Sequence, residues 1–271
     1  MGELKMKKTI IATALLSTVV VSSFAGVASA AEVGTATTKG SVQFKTPGDE
    51  EEGKVIKPGE DEEEILPDPD GGGGSSKGAL RIQHAPAFKF GIVDNVNGTK
   101  KYPAQMEAYT KPNDADPAKK YYMPNFVQVT DERGDITKGW TLSVTGDGFK
   151  NGTDELKQTK ILLNEQKHTN TVFDFQTPAT DLTTILDGFD AKGTAISTDG
   201  KTSVEILKTK AGKSTTGSQT SSVFNTSYDK ATEYAETDRN AGVELQKGNL
   251  DIIEVGKVYE STLTWTLSEA L

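Results

Sequence analysis

The stretch Trp140-Thr141-Leu142-Ser143-Val144-Thr145 alternates apolar and hydroxyl-bearing residues, and Tyr259-Glu260-Ser261-Thr262-Leu263-Thr264-Trp265-Thr266-Leu267 follows a similar pattern much later in the chain. Successive side chains of a β-strand point to opposite faces of its sheet. The period of two therefore predicts two strands, each with one apolar face and one polar face. These stretches hold both tryptophans of the chain.

Other short runs of alternating or β-branched residues flank these two strands, and Asn-Gly or Asp-Gly pairs between some of them favour tight turns. The predicted strands are 80–83, 87–93, 126–130, 140–145, 160–163, 172–175, 203–208, 242–245 and 257–268. One short helix is predicted over 181–187. Because no long helical pattern separates the strands, the sequence predicts an all-β, β-sandwich-like domain over residues 79–271.

Residues 1–30 have the pattern of a secretory signal peptide. Three lysines precede an apolar run over 9–24, and Ala28-Ser29-Ala30 follows as a cleavage site. The alternative is a membrane anchor, but this run is shorter than the roughly 20 apolar residues that a helical span needs. We therefore expect a secreted protein.

Residues 31–78 differ in composition from everything that follows. Between positions 47 and 70 there are eleven acidic residues and two lysines, and a Gly-Ser run comes next. Repelling charges and few large apolar side chains cannot offset the entropy lost on ordering. We therefore expect a disordered acidic and glycine-rich linker. An acidic calcium-binding tail is the alternative, although the Asp spacing of a dedicated calcium loop is missing.

Most enzyme classes lack their residues in this chain. Without cysteine there is no thiol nucleophile and no cysteine zinc site, and His84 and His168 stand far apart in no ligand motif. No Gly-x-Ser-x-Gly elbow occurs. A glycosidase with paired carboxylates stays open, since such pairing cannot be seen in sequence. We expect a non-catalytic protein with no metal site and no cofactor.

The two tryptophans allow two interpretations. Aromatic residues with apolar neighbours at period two usually point into a core, which favours buried positions for Trp140 and Trp265. The alternative makes them stacking platforms for the sugar rings of a glycan. Nucleic acid is not expected as a ligand, because no basic stripe is present to neutralise phosphates.

The stretch from Tyr259 to Leu267 resembles the proximal motif of the WxL domain, through Tyr259, Leu263, Thr264, Trp265 and Leu267. Trp140-Thr141-Leu142 is similar to the distal motif of the same family. The resemblance covers residues 79–271 and departs from the family at Leu271, where proline is frequent.

This resemblance implies a cell-surface protein of low-GC Gram-positive bacteria that associates non-covalently with peptidoglycan. It also implies a multi-protein surface complex with other WxL proteins and a membrane-anchored WxL-interacting protein. Retention without covalent attachment agrees with the lack of a lipobox cysteine and of a sorting signal with an apolar tail. The alternative function is an adhesin whose main ligand is a protein, such as a host extracellular-matrix protein.

Overall fold

Residues 39–189 and 192–270 are described by the computed structural model, so the predicted signal peptide, residues 31–38 and Leu271 lie outside the described residues. The chain divides into two units, residues 1–43 and residues 44–271. Residues 39–43 of the first unit are exposed and have no regular secondary structure. The second unit carries the fold.

The described part of the second unit contains eighteen strands and three short 3₁₀ turns, with no α-helix. The strands are β1 (Val55–Ile56), β2 (Glu64–Pro67), β3 (Leu80–His84), β4 (Lys100–Gln105), β5 (Glu107–Thr110), β6 (Tyr121–Met123), β7 (Phe126–Asp131), β8 (Trp140–Gly146), β9 (Phe149–Asn151), β10 (Asp154–Leu156), β11 (Lys160–Leu163), β12 (Lys167–Asn170), β13 (Leu186–Gly188), β14 (Thr194–Ile196), β15 (Val204–Thr209), β16 (Ser218–Val223), β17 (Arg239–Lys247) and β18 (Leu263–Glu269). The prediction of an all-β fold is confirmed.

The strands form four sheets of four strands and one two-stranded hairpin, β9 with β10. The sheet β13-β15-β8-β18 carries both Trp-x-Leu stretches and is called the motif sheet. The sheet β14-β11-β17-β4 is called the β11 sheet, and β12-β16-β7-β3 is called the β7 sheet. The remaining sheet, β1-β2-β5-β6, lies nearest the start of the chain and is called the β5 sheet.

The β7 sheet separates two cores. Val127 and Val129 belong to the main core, which they share with Leu142 of the motif sheet and Leu163 of the β11 sheet. Phe126 belongs to a second, smaller core with residues of the β5 sheet. All six residues of β7 are buried, because consecutive side chains point to opposite faces and each face is covered.

The expectation of a disordered linker over 31–78 is wrong for its second half. Val55, Ile56 and Ile65 are buried, and β1 pairs with β2. The side chain of Gln128 on β7 bonds the backbone of Ile56 on both sides: its Oε1 accepts from Ile56 N at 3.1 Å and its Nε2 donates to Ile56 O at 2.7 Å. Residues from 55 onward therefore belong to the folded domain.

Distant lysines neutralise part of the acidic segment, which composition alone could not reveal. Glu63 lies 2.5 Å from Lys111, and Asp68 lies 2.5 Å from Lys120. Lysine hydrogen bonds lower the pKa of both carboxyl groups below their ordinary values, although burial opposes the shift and is the largest single influence at Glu63. The segment therefore folds against the domain despite its charge.

Several strand predictions were wrong in position or type. Residues 87–93 form no strand, and 172–175 contain a 3₁₀ turn, Phe173–Phe175. The helix predicted over 181–187 is a 3₁₀ turn, Leu182–Thr184, followed by the start of β13. The last strand begins at Leu263, not at 257, because the residues before it make only an isolated bridge between Glu260 and Lys150.

Candidate functional site

The two Trp-x-Leu stretches are neighbouring antiparallel strands in the motif sheet. Leu142 on β8 lies opposite Leu267 on β18, and Val144 lies opposite Trp265. β8 is an inner strand, paired on its other side with β15, whereas β18 lies at the sheet edge. The structure thus places six of the seven residues singled out from the sequence on this strand pair, and the seventh, Tyr259, precedes β18.

Trp140 is a core residue. Its side chain is fully buried, as are those of Leu142 and Val144. The indole N–H donates to Thr215 Oγ1 at 2.8 Å, and the backbone N–H donates to Thr209 Oγ1 at 2.9 Å. A buried indole usually needs such a partner. Trp140 therefore has no free face on which a sugar ring could stack.

Trp265 occupies an intermediate position. It is partly buried against the main core, as are Leu263 and Leu267, and its ring centroid lies 6.4 Å from that of Phe88. Tyr259 also packs there, and its hydroxyl accepts a hydrogen bond from Glu254 N at 3.2 Å. The burial is incomplete because β18 has a neighbouring strand on one side only.

The opposite face of the same two strands is polar. Thr264 and Thr266 on β18 are exposed, and their cross-strand partners on β8 are Thr145 and Ser143. Hydroxyls on adjacent strands lie about 5 Å apart in such a sheet. This face can form hydrogen bonds with a hydroxylated polymer, but it offers no aromatic ring, because both tryptophans point to the other side.

Arg133 ties the ends of the motif strands together, a role that sequence reasoning missed. Its guanidinium lies 2.8 Å from the fully buried carboxylate of Asp131 and 3.2 Å from Glu269 at the end of β18. It also donates to the backbone oxygen of Gly139, just before β8. Hydrogen bonding to Asp131 is the main reason why the pKa of Arg133 lies above its usual value.

His84 is buried, and His168 is partly buried. His84 Nε2 is 3.3 Å from Glu107 Oε2 and 3.0 Å from the hydroxyl of Tyr109, which donates to the same carboxylate oxygen at 2.7 Å. Burial lowers the pKa of His168 to about 4. Among residues 39–189 and 192–270, no three His, Asp or Glu side chains are grouped to hold a metal ion. The same residues include no helix with the length and apolar character needed to cross a bilayer.

The fold and the site define an all-β domain with two Trp-x-Leu strands paired in one sheet. The sequence matches the family described as WxL domain, surface cell wall-binding, over residues 31–270. The chain therefore belongs to the WxL domain family, and its domain is of a cell-wall-binding, surface-associated kind. The match includes the acidic segment, in agreement with the buried positions of β1 and β2. No curated protein and no solved structure matched the chain significantly.

Proposed function

We propose that this protein is secreted through residues 1–30 and attaches non-covalently to Gram-positive peptidoglycan as a non-catalytic binding protein. The observation that carries the proposal is the pairing of the two Trp-x-Leu strands within a domain of a cell-wall-binding family. In this proposal the apolar side of the pair stabilises the domain. Surface side chains, and not the buried apolar ones, contact the wall.

Sedimentation of residues 31–271 with insoluble, purified peptidoglycan tests this function. Saturable co-sedimentation is expected with peptidoglycan, and none with insoluble cellulose, which controls for adhesion to any hydroxylated polymer. Equal sedimentation with both polymers would contradict the proposal. Release of soluble fragments from the same peptidoglycan would instead favour the glycosidase alternative.

We further propose that the protein works in a surface complex with other WxL proteins and a membrane-anchored WxL-interacting protein. Two features of the described residues support a protein ligand. The outer edge of β18 has no partner strand. Four large aliphatic side chains between β17 and β18 are also exposed: Leu250, Ile252, Val255 and Val258.

Proline at Trp265 or Leu267 would disturb the core as well as the strand edge. The contact through β18 is therefore tested with charged side chains on its exposed face. Thr264→Lys and Thr266→Lys place charges on an exposed face of β18 and leave the apolar face intact. Weaker capture of the WxL-interacting protein by a variant that melts like wild type is the expected result. If capture is unchanged, β18 is not the contact.

A further inference from the structure

We propose that a polar depression at one end of the β11 sheet binds an anionic, hydroxyl-rich segment of a wall polymer. The depression has a volume of about 380 Å³. Side chains from four parts of the chain line it, among them Thr99, Lys157, Lys160, Thr198, Gln246 and Asn249. The proposal rests on the proposed function only in taking its ligand from the wall.

The strand register explains how these polar groups converge. Lys160 on β11 lies opposite Gln246 on β17. Their neighbours Ile161 and Leu245 pack with the main core, so Lys160 and Gln246 point to the outer side of the sheet. Lys157 lies in the short connection that leads into β11.

Most polar side chains of the depression are free to meet a ligand, whereas Gln158 Oε1 accepts from Leu250 N at 3.3 Å. Within the described ranges, no hydrogen bond or ion pair engages the side chains of Lys157, Lys160, Gln246 or Asn249. A second depression differs in this respect: its Lys54 lies 2.6 Å from Glu64 and its Lys77 lies 2.8 Å from Glu52. The polar groups at the end of the β11 sheet therefore have unused hydrogen-bonding capacity.

The charge of the depression favours an anion. Lys157 and Lys160 line it, and the ammonium of the nearby buried Lys247 is used internally, donating to the backbone oxygens of Gly98 at 3.3 Å and Gly248 at 3.4 Å. The nearby carboxylate of Asp251 is used internally, accepting from Gln158 N at 3.0 Å and from Thr159 Oγ1 at 2.7 Å. The residues that line the depression thus include two lysines and no carboxylate, in a protein whose net charge is −9.

The residue types define the ligand class. Ammonium groups pair with phosphate or carboxylate, while amides and threonine hydroxyls bond the hydroxyls of a sugar or polyol. The lining residues include no aromatic side chain on which a sugar ring could stack. The shared chemistry is therefore an acidic group next to hydroxyls, supplied either by a phosphodiester-linked polyol or by the carboxylates of peptidoglycan peptides.

The matched test replaces charge without changing size greatly. Lys157→Gln with Lys160→Gln is compared with Lys138→Gln and Lys213→Gln, two exposed lysines that also form no ion pair in the described structure and lie next to the motif sheet. Binding is measured to insoluble wall, to wall stripped of phosphodiesters with hydrofluoric acid, and to a soluble glycerol phosphate oligomer. Melting temperatures verify that both double variants are folded.

The first variant is expected to bind wall about tenfold more weakly than wild type, and the control variant within about twofold, because charge-assisted hydrogen bonds are lost only in the first. Loss of wild-type binding on stripping, together with binding to the oligomer, would identify phosphate, and would contradict peptidoglycan as the wall ligand while supporting the depression. If wild type still binds stripped wall and the variant of Lys157 and Lys160 binds it more weakly, the ligand is a carboxylate. Both results support an anionic ligand.

If the two double variants bind wall equally weakly, or if both bind as well as wild type, the depression is not the site. That outcome leaves wall binding itself intact. Wild-type protein that binds the oligomer through Lys157 and Lys160, but does not sediment with wall, would support the depression and contradict the proposed function. The two failures are therefore distinguishable.

Discussion

Replacing Trp140 by alanine is expected to destabilise the domain far more than the same change at Trp265. The two residues occupy equivalent places in the two sequence motifs, so the motifs themselves predict equal costs. The structure predicts unequal ones, because Trp140 is fully enclosed on an inner strand and Trp265 is partly exposed on an edge strand.

The magnitudes follow from burial. Truncation of an enclosed tryptophan costs about 3 to 5 kcal/mol, which includes the cavity that is left behind. Loss of the indole also leaves the buried hydroxyl of Thr215 without its donor, which costs about 1 kcal/mol or more. The space left at Trp265 would open to solvent and fill with water, so about 2 kcal/mol is expected there. The free energy of unfolding of a typical domain is only about 5 to 15 kcal/mol.

Urea unfolding followed by circular dichroism measures both costs without relying on fluorescence, since each variant loses one of the two tryptophans. Trp140→Phe is the matched control: it keeps most of the ring volume, loses the bond to Thr215, and should fall between wild type and Trp140→Ala. Equal losses for the two alanine variants, or a larger loss at Trp265, would refute the reasoning from burial.

Three further predictions concern the rest of the domain. A protein that starts at residue 79 lacks β1 and β2 with the buried Ile65, so its thermal transition should occur at a lower temperature or be absent; a transition equal to that of residues 31–271 would restore the linker interpretation. Arg133→Ala leaves the buried Asp131 carboxylate unpaired and should cost about 3 to 5 kcal/mol in urea unfolding, part of which the additional change Asp131→Asn should recover. Below pH 6.5 His168 is protonated in the unfolded chain but not in the folded chain, where its pKa is about 4. The free energy of unfolding should therefore fall by at most about 3 kcal/mol as the pH is lowered from 6.5 to 4. His168→Gln should reduce that fall.

Alternation of side chains allowed the strands with apolar faces to be predicted. β8 and β11 were placed within one residue of their observed bounds, since each contains alternating or continuous apolar residues. β16 was missed because its sequence, Ser-Gln-Thr-Ser-Ser-Val, gives no apolar signal. Its residues are nevertheless mostly buried, and Asn170 donates to both Ser218 Oγ and Thr220 Oγ1. Polar residues that are buried because they form hydrogen bonds do not produce an alternating hydrophobic pattern in the sequence.

The site was predicted in its residues but not in its arrangement. The motif spacing does not show that β8 and β18 are neighbours, because strand pairing depends on the path of the whole chain. It also could not show that one tryptophan is enclosed and the other is at an edge. The acidic segment was misjudged for a related reason: its few apolar side chains, Val55, Ile56 and Ile65, are buried against the domain, and distant lysines neutralise part of the nearby charge.

The pairing of β18 with β8 has a consequence for how the domain folds. The two strands are separated by most of the β11 sheet and by β15 and β16 in chain order. Other contacts reach still further: Tyr228 Oη donates to the backbone oxygen of Pro58, 170 residues away. Loops of this length must close before their contacts stabilise the chain, so slow folding, on a timescale of milliseconds to seconds, is expected. A chain in which β18 has not paired leaves the edge of β8 open, and an open strand edge is a template for pairing with other chains.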